Sequence, residues 1–204
     1  MTSGAALAMF RWIALGAFVV VFAISVFYRH RARRSGEVIE RRREGGRMML
    51  LRALVALPLW GAVLVYLVQP RWMDWSAFAA PGWLRWLGVA LGVAAIPAAW
   101  WVFRNLGRNV SETVLAKSDH ALVTSGPYRW VRHPLYTTGE MLLVGVGLMA
   151  GNWFILLLTA AVIVSIRFVV VPAEEAALVA RFGDAYRGYR ARTGRLLPSL
   201  RQRG

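Results

Sequence analysis

Four long apolar runs, with arginine-rich segments after the first and the third, constrain this chain more than any other feature. Residues 12–28, 48–68 and 83–103 each come close to the about 20 residues that carry a helix across about 30 Å of hydrocarbon. A fourth run, residues 139–171, is long for one span and short for two. Gly151-Asn152 interrupts it, and Trp153 stands beside the break as an interface anchor. Composition points the same way: 58% of residues are hydrophobic and 17% charged, against about 45–50% and about 25% in soluble domains. Disorder and a water-soluble enzyme are thereby excluded. The first run lacks an early basic region and a small-residue cleavage pattern, so it reads as a retained helix rather than a signal peptide.

The basic residues give direction. Twenty-five Lys and Arg against ten acids leave a net charge of +15. A balance like this can mark a nucleic-acid binder. Here the arginines cluster between apolar runs, which fits anionic lipid at a cytoplasmic face and no nucleic acid. Residues 29–47 carry eight arginines, among them Arg41, Arg42 and Arg43, and are expected inside. Residues 69–82 carry only Arg71 and are expected outside. Residues 104–134 and the tail are basic again, hence inside. Two cytoplasmic flanks require an even number of crossings between them. The fourth run then forms a hairpin, about 135–150 and 153–171, with Gly151-Asn152 alone exposed outside.

The expected fold is therefore an all-α integral membrane protein of about five transmembrane helices, the last two a helical hairpin, followed by a cytoplasmic C-terminal amphipathic helix. Residues 1–103 form a three-span region with its basic loop at 29–47, and residues 104–204 carry the polar segments. The N-terminus is expected outside and the C-terminus in the cytoplasm, in a bacterial inner membrane. With no cysteine and three scattered histidines, no disulfide, thiol nucleophile or metal centre is expected.

Both polar segments fall on the cytoplasmic side. In Tyr128-Arg129-Trp130-Val131-Arg132-His133-Pro134-Leu135-Tyr136, Pro134 suits the first helical position and turns His133 away from helical geometry. A helix start there presents free N–H groups that bind a carboxylate, or is simply a capped start with arginines on lipid phosphates. The second segment opens with Pro172-Ala173-Glu174-Glu175. Adjacent helical positions point about 100° apart, so the two acids serve different neighbours. They either cap a new helix or accept hydrogen bonds from a ligand. Leu178, Phe182, Tyr186 and Tyr189 follow as an apolar stripe suited to the membrane interface. Arg167 lies near the cytoplasmic end of the fifth span, where it is either functional or snorkels to the interface. Gly145, Gly147 and Gly151 permit close approach of a neighbour. Asn105, Asn109, Ser111 and His120 are polar candidates without diagnostic spacing.

Taken together, Ser111-Glu112, Asp119-His120, Gly126-Pro127-Tyr128-Arg129, Arg132-His133-Pro134-x-Tyr136, Glu174-Glu175, Phe182-Gly183, Tyr186, Tyr189 and Leu197-Pro198 resemble the isoprenylcysteine carboxyl methyltransferase family, a relative of membrane phospholipid N-methyltransferases. The resemblance runs over residues 106–198. It implies an integral membrane enzyme that uses S-adenosylmethionine and needs no metal. It also implies a cofactor pocket at the cytoplasmic face built from Tyr128, Arg129, His133, Pro134, Tyr136, Glu174 and Glu175, with Glu175 the foremost acid. Arg132 and Arg167 are the residues expected to act on an anionic acceptor. The acceptor itself, a carboxylate, amine or thiol on a lipophilic or small molecule, stays open. The family commonly has glycine where this chain has Thr138. A non-catalytic scaffold or a small transporter are the competing readings.

Overall fold

The computed structural model describes residues 4–34, 46–107 and 121–199. Within them the chain is helical: α1 (Gly4–Arg34), α2 (Gly46–Val68), α3 (Gly82–Leu106), α4 (Pro134–Ala150), α5 (Trp153–Ser165), α6 (Val171–Phe182) and α7 (Asp184–Arg192). Short 3-10 turns cover Pro70–Ser76 and Gly126–Arg129, and a π turn, Ile166–Val170, joins α5 to α6. No strand occurs among the described residues, only isolated bridges. The candidate pairs Ser111-Glu112 and Asp119-His120, together with Asn109 and most of the basic loop 29–47, lie outside the described residues.

Among the described residues three stretches are long and apolar enough to cross a membrane: Gly4–Ala32, Gly82–Leu106 and Trp153–Phe182. A shorter apolar helix covers Ala53–Val68. The chain is thus an integral membrane protein. Tryptophans mark the two ends of α3. Trp83 and Trp86 are exposed at one end, Trp100 and Trp101 at the other. From Trp83 to Trp101 is about 27 Å at 1.5 Å per residue, close to the hydrocarbon thickness of about 30 Å. Exposed Trp72, Trp75 and Trp153 extend the first belt, and Trp130 the second.

The core forms where backbones approach most closely. Gly88 and Gly92, a Gly-x-x-x-Gly spacing on α3, lie against Gly145 of α4. A Cβ on Gly88 would stand 2.7 Å from the Gly145 carbonyl oxygen, so no larger residue fits without separating the helices. Gly145 was expected to allow a close neighbour, and α3 is that neighbour. Around this seam pack Phe10, Leu59, Val63, Val146, Met149 and Ile155, each under 4% exposed.

At the belt end near Trp153, two arginines close helix ends whose last carbonyls have no helical partner. Arg11 donates to Leu67 O and Val68 O at the end of α2. Arg85, 5% exposed, donates to Met149 O at the end of α4. A cation there also meets the negative end of the helix dipole. Gly151 adopts φ 61°, the left-handed cap that ends α4. The connection it begins is not open as the sequence pattern implied. Asn152 is 2% exposed: its amide donates to Ser76 Oγ at 2.7 Å and to Met73 O, and its Oδ1 accepts from Ile155 N. The Pro70–Ser76 turn covers it, because the apolar face of that turn needs a partner and the Asn152 amide saturates its free polar groups.

Toward the other end, the stretch expected to be one amphipathic helix is two. The helix Trp153–Phe182 continues for 30 residues, about 45 Å at 1.5 Å per residue. Its apolar part ends near Val171, so α6 projects beyond the hydrocarbon. Pro172 has no N–H to offer the preceding turn, and the backbone there widens into the π turn, where Val171 N donates to Ile166 O. Gly183, at φ 54°, stops α6 and lets α7 fold back.

Candidate functional site

Gly126, also at φ 58°, starts the loop that carries the first block and packs directly on Asn105 of α3. The short turn Gly126–Arg129 then presents Tyr128 inward and leaves Arg129 exposed. His133 is the N-cap of α4, with φ −125° and ψ 55°, and Pro134 occupies the first helical position, as the sequence predicts. The tail returns over this turn. Arg132 N donates to Gly194 O, His133 N to Arg195 O, and Gly194 N to Trp130 O, a parallel pairing of residues 130–133 with 194–195. Thr137 Oγ1 donates to Leu196 O at 2.6 Å. Gly194 is required here, because a Cβ would collide with the Leu197 carbonyl.

Into this junction α6 lowers its two acids, and the structure separates their roles. Glu175 is 3% exposed. Its Oε1 accepts from Arg132 Nε at 2.8 Å and lies 3.4 Å from His133 Nε2, while Oε2 lies 3.5 Å from Arg195 Nη2. Burial alone would raise the Glu175 carboxyl, but the bonds from His133 and Arg132 outweigh it and hold the group at about 2. Glu174 faces the opposite ring nitrogen. Its Oε2 stands 3.5 Å from His133 Nδ1, is buried, and makes no hydrogen bond among the described residues. Burial pushes His133 toward its neutral form, yet the two acids prevail and raise it above its ordinary 6.5.

Arg132 is more constrained than an acceptor-binding cation would be. Besides Glu175 it donates through Nη1 to Arg190 O and Thr193 O. It therefore ties α4, α6 and the end of α7 into one latch, and its side chain is 9% exposed. Arg167 is not in this cluster. It sits on the π turn, exposed, with Glu140 of α4 as its electrostatic neighbour.

Tyrosines fill the remaining space. Tyr186 and Tyr189 do not lie on a membrane surface, as the apolar stripe implied; they are 1% and 4% exposed, packed on the turn. The backward fold of α7 at Gly183 sends them there. Tyr189 donates its hydroxyl to Tyr128 O at 2.7 Å. Tyr186 is buried with a hydroxyl that has no partner among the described residues. Burial raises all three phenols, Tyr189 to about 12 and Tyr128 well above the ordinary value, so each remains a protonated donor. Tyr136 is half-buried and stacks on His133 with ring centres 6.0 Å apart. Thr138, at the position of the family's usual glycine, is 4% exposed and bonds back to Pro134 O.

Of the expected site residues, the structure brings together Tyr128, Arg132, His133, Pro134, Tyr136, Glu174 and Glu175, and leaves Arg129 and Arg167 apart. Sequence reasoning did not single out the latch residues Thr193, Gly194 and Arg195, nor Glu140. A lone acid inside an apolar run was the signal for Glu140; nothing local marked the tail.

Residues 83–185 match the family model described as phospholipid methyltransferase, which covers half of the chain. The chain belongs to the phospholipid methyltransferase family. Within this family of membrane methyltransferases, a curated relative is the Protein-S-isoprenylcysteine O-methyltransferase of Schizosaccharomyces pombe. The two are 36% identical over 96 residues, 46% of this chain. The match spans 41% of the length of that relative. The family affiliation bears out the resemblance seen in the sequence. The matched region covers the α3–α4 seam, Arg132, His133 and both acids, and ends before the tail residues of the latch.

Proposed function

We propose that this chain is a membrane methyltransferase that takes its methyl group from S-adenosylmethionine and delivers it to a lipophilic or small acceptor at the cytoplasmic face. The observation that carries this reading is a pair of buried polar groups without a hydrogen bond among the described residues, Glu174 Oε2, which has only the 3.5 Å ion-pair contact with His133, and the Tyr186 hydroxyl, beside the Arg132–His133–Glu175 cluster. Leaving a buried polar group unsatisfied costs about 1–3 kcal/mol, so two together, Glu174 inside the family-matched region and Tyr186 one residue beyond it, favour a ligand that completes them. Their chemistry fits the donor: a carboxylate suits ribose hydroxyls or an amino group, and a phenol donates to a carboxylate.

Bound, S-adenosylmethionine supplies a sulfonium methyl that is already activated. The residues of the chain then have to hold and enclose. Glu174 accepts hydrogen bonds from the ligand, with its own position held by protonated His133. Glu175 and Arg132 position that imidazole and fasten the tail over the turn, which excludes water. Tyr128 and Tyr136 flank the same space. Orientation of this kind is worth up to about 7–11 kcal/mol when it is ideal. The name of the relative refers to O-methylation of S-isoprenylcysteine; an acceptor carboxylate needs no base, whereas an ammonium must first lose a proton.

Five crossings, with the N-terminus outside and α4 and α5 as the closing hairpin, make both site segments cytoplasmic and are part of this proposal. A transporter would concentrate polar groups near the membrane midplane, whereas these lie where α4 begins and α6 leaves the hydrocarbon. Isothermal titration of the detergent-purified protein with S-adenosylmethionine tests the reading. Binding that weakens at least tenfold in Glu174→Gln supports it. No binding to the wild-type protein leaves the scaffold.

A further inference from the structure

The reversal at Gly183 does more than bury Tyr186 and Tyr189. Helix α6 carries the chain away from the hydrocarbon, about 18 Å over its 12 residues at 1.5 Å per residue, and α7 brings it back to the start of α4. The return ends at the membrane surface. Gly194 N donates to Trp130 O, and the Trp130 ring lies 5.7 Å from that of Trp101, an exposed tryptophan of the belt at that end of α3. Leu197, also exposed, follows three residues after Gly194. The end of α7 and the tail beyond it therefore lie at headgroup depth, the level that tryptophans mark.

With Tyr186, Tyr189 and Thr193 turned inward, the face that α7 leaves open is basic. Arg187 is met by Asp184 at 2.7 Å, and residues 184–199 contain no other acid. Arg190 and Arg192 are exposed and make no ion pair among the described residues, and the same holds for Arg129 on the neighbouring turn. The Arg195 side chain is 41% exposed, and its contact is the one at 3.5 Å with Glu175. Positive charges gathered in this way repel one another unless anions lie against them. Basic groups beside a bilayer are drawn to anionic lipid within about a Debye length.

We propose that this arginine rim docks on the headgroups of anionic phospholipids, and that the docking holds the latch closed over the Arg132–His133–Glu175 cluster. One piece of chain bears the rim and makes the latch. Arg190 O and Thr193 O accept from the Arg132 side chain, and Gly194 O and Arg195 O from the backbone of Arg132 and His133. An opened tail would lift its arginines from the surface, so lipid phosphate stabilises the closed form selectively. Trp130 and Leu197 beside the rim match the acyl boundary just beneath the phosphates. The inference concerns membrane charge and does not depend on methyl transfer.

Ala191 is exposed between two of the arginines, and the chain has no native cysteine, so Ala191→Cys accepts a single nitroxide label. The full chain is placed in nanodiscs of phosphatidylcholine, or of an equal mixture with phosphatidylglycerol. The ratio of immobilised to mobile nitroxide signal is read together with Tm. Each arginine near an anionic surface counts for about fivefold. Phosphatidylglycerol should therefore raise the ratio about tenfold or more, and raise Tm. Arg190→Gln/Arg192→Gln should lose most of both gains, and Arg190→Lys/Arg192→Lys should keep them. Salt near about 1 M, where the Debye length is about 3 Å, should shrink the effect. The same ratio in both lipids overturns the proposal. So does an equal rise when heparin is added to phosphatidylcholine discs, which would make the rim a general polyanion surface. A gain in Tm of equal size in the glutamine variant refutes the hold on the latch. The wild-type comparison decides the docking even if a variant does not fold.

Discussion

Glu175→Gln separates a latch from a ligand contact. The carboxylate takes a 2.8 Å bond from Arg132 Nε, with His133 and Arg195 nitrogens at 3.4 and 3.5 Å. Only the first is short enough to count in full; a hydrogen bond to a charged group contributes about 1.5–3 kcal/mol. Arg132 keeps its carbonyl partners Arg190 O and Thr193 O, so the loss stays below the range for an uncompensated buried charge, about 3–5 kcal/mol. We therefore expect a loss of about 2–3 kcal/mol, equivalent to about 4–12 °C in Tm for a chain of this size. Because the latch fixes the tail, trypsin should cut after Arg190, Arg192 and Arg195 faster than in the wild-type protein. Glu174→Gln removes only the 3.5 Å ion-pair contact with His133, worth about 0.2–1 kcal/mol, and should lower Tm by less than about 4 °C, less than Glu175→Gln does. Differential scanning fluorimetry in one detergent, with timed trypsin digestion, measures both. A Glu175→Gln protein as stable and as protease-resistant as wild type would refute the latch, and with it the division of labour between the two acids.

The same cluster sets a pH window. Glu175, held at about 2 against an ordinary 4.5, stabilises the fold above pH 4.5 and loses that contribution as pH falls toward 2. His133, raised above its ordinary 6.5, contributes fully below 6.5 and loses this as pH rises through its folded value. Tm against pH should thus be flat between these limits and fall on both sides, with His133→Gln abolishing the alkaline fall and reducing the acid one, which Arg132 then sustains alone. Tyr186→Phe removes a hydroxyl with no partner among the described residues; Tm should hold or rise slightly, while S-adenosylmethionine affinity measured by calorimetry falls about three- to tenfold, the value of a neutral hydrogen bond of about 0.5–1.5 kcal/mol. Gly88→Ala forces a Cβ to 2.7 Å from Gly145 O, and overpacking of this kind costs about 1–3 kcal/mol; its Tm should drop, whereas Gly82→Ala, which meets open space, should not.

Local chemistry determined much of this protein. Apolar length and arginine placement gave a helical membrane protein, because hydrocarbon leaves the backbone no partner but its own helix. Pro134 after His133 fixed the start of α4, since proline restricts the residue before it and suits the first helical turn. The motif blocks pointed to the right family, and seven of the nine site residues expected from them and from charge lie together. What the sequence could not convey depends on contacts between distant segments. The motif made Glu175 the foremost cofactor acid; in the fold Arg132, His133 and Arg195 surround Glu175, and Glu174 is left with an oxygen that makes no hydrogen bond among the described residues, because α6 meets α4 at a particular rotation. Tyr186 and Tyr189 have the spacing of a membrane-facing stripe, and only the reversal at Gly183 turns them into the protein. Asn152 reads as an exposed turn until the 70–76 segment folds over it. A helical period tells which residues share a face; what that face meets is decided by packing, where a polar group must find its partner somewhere along the chain.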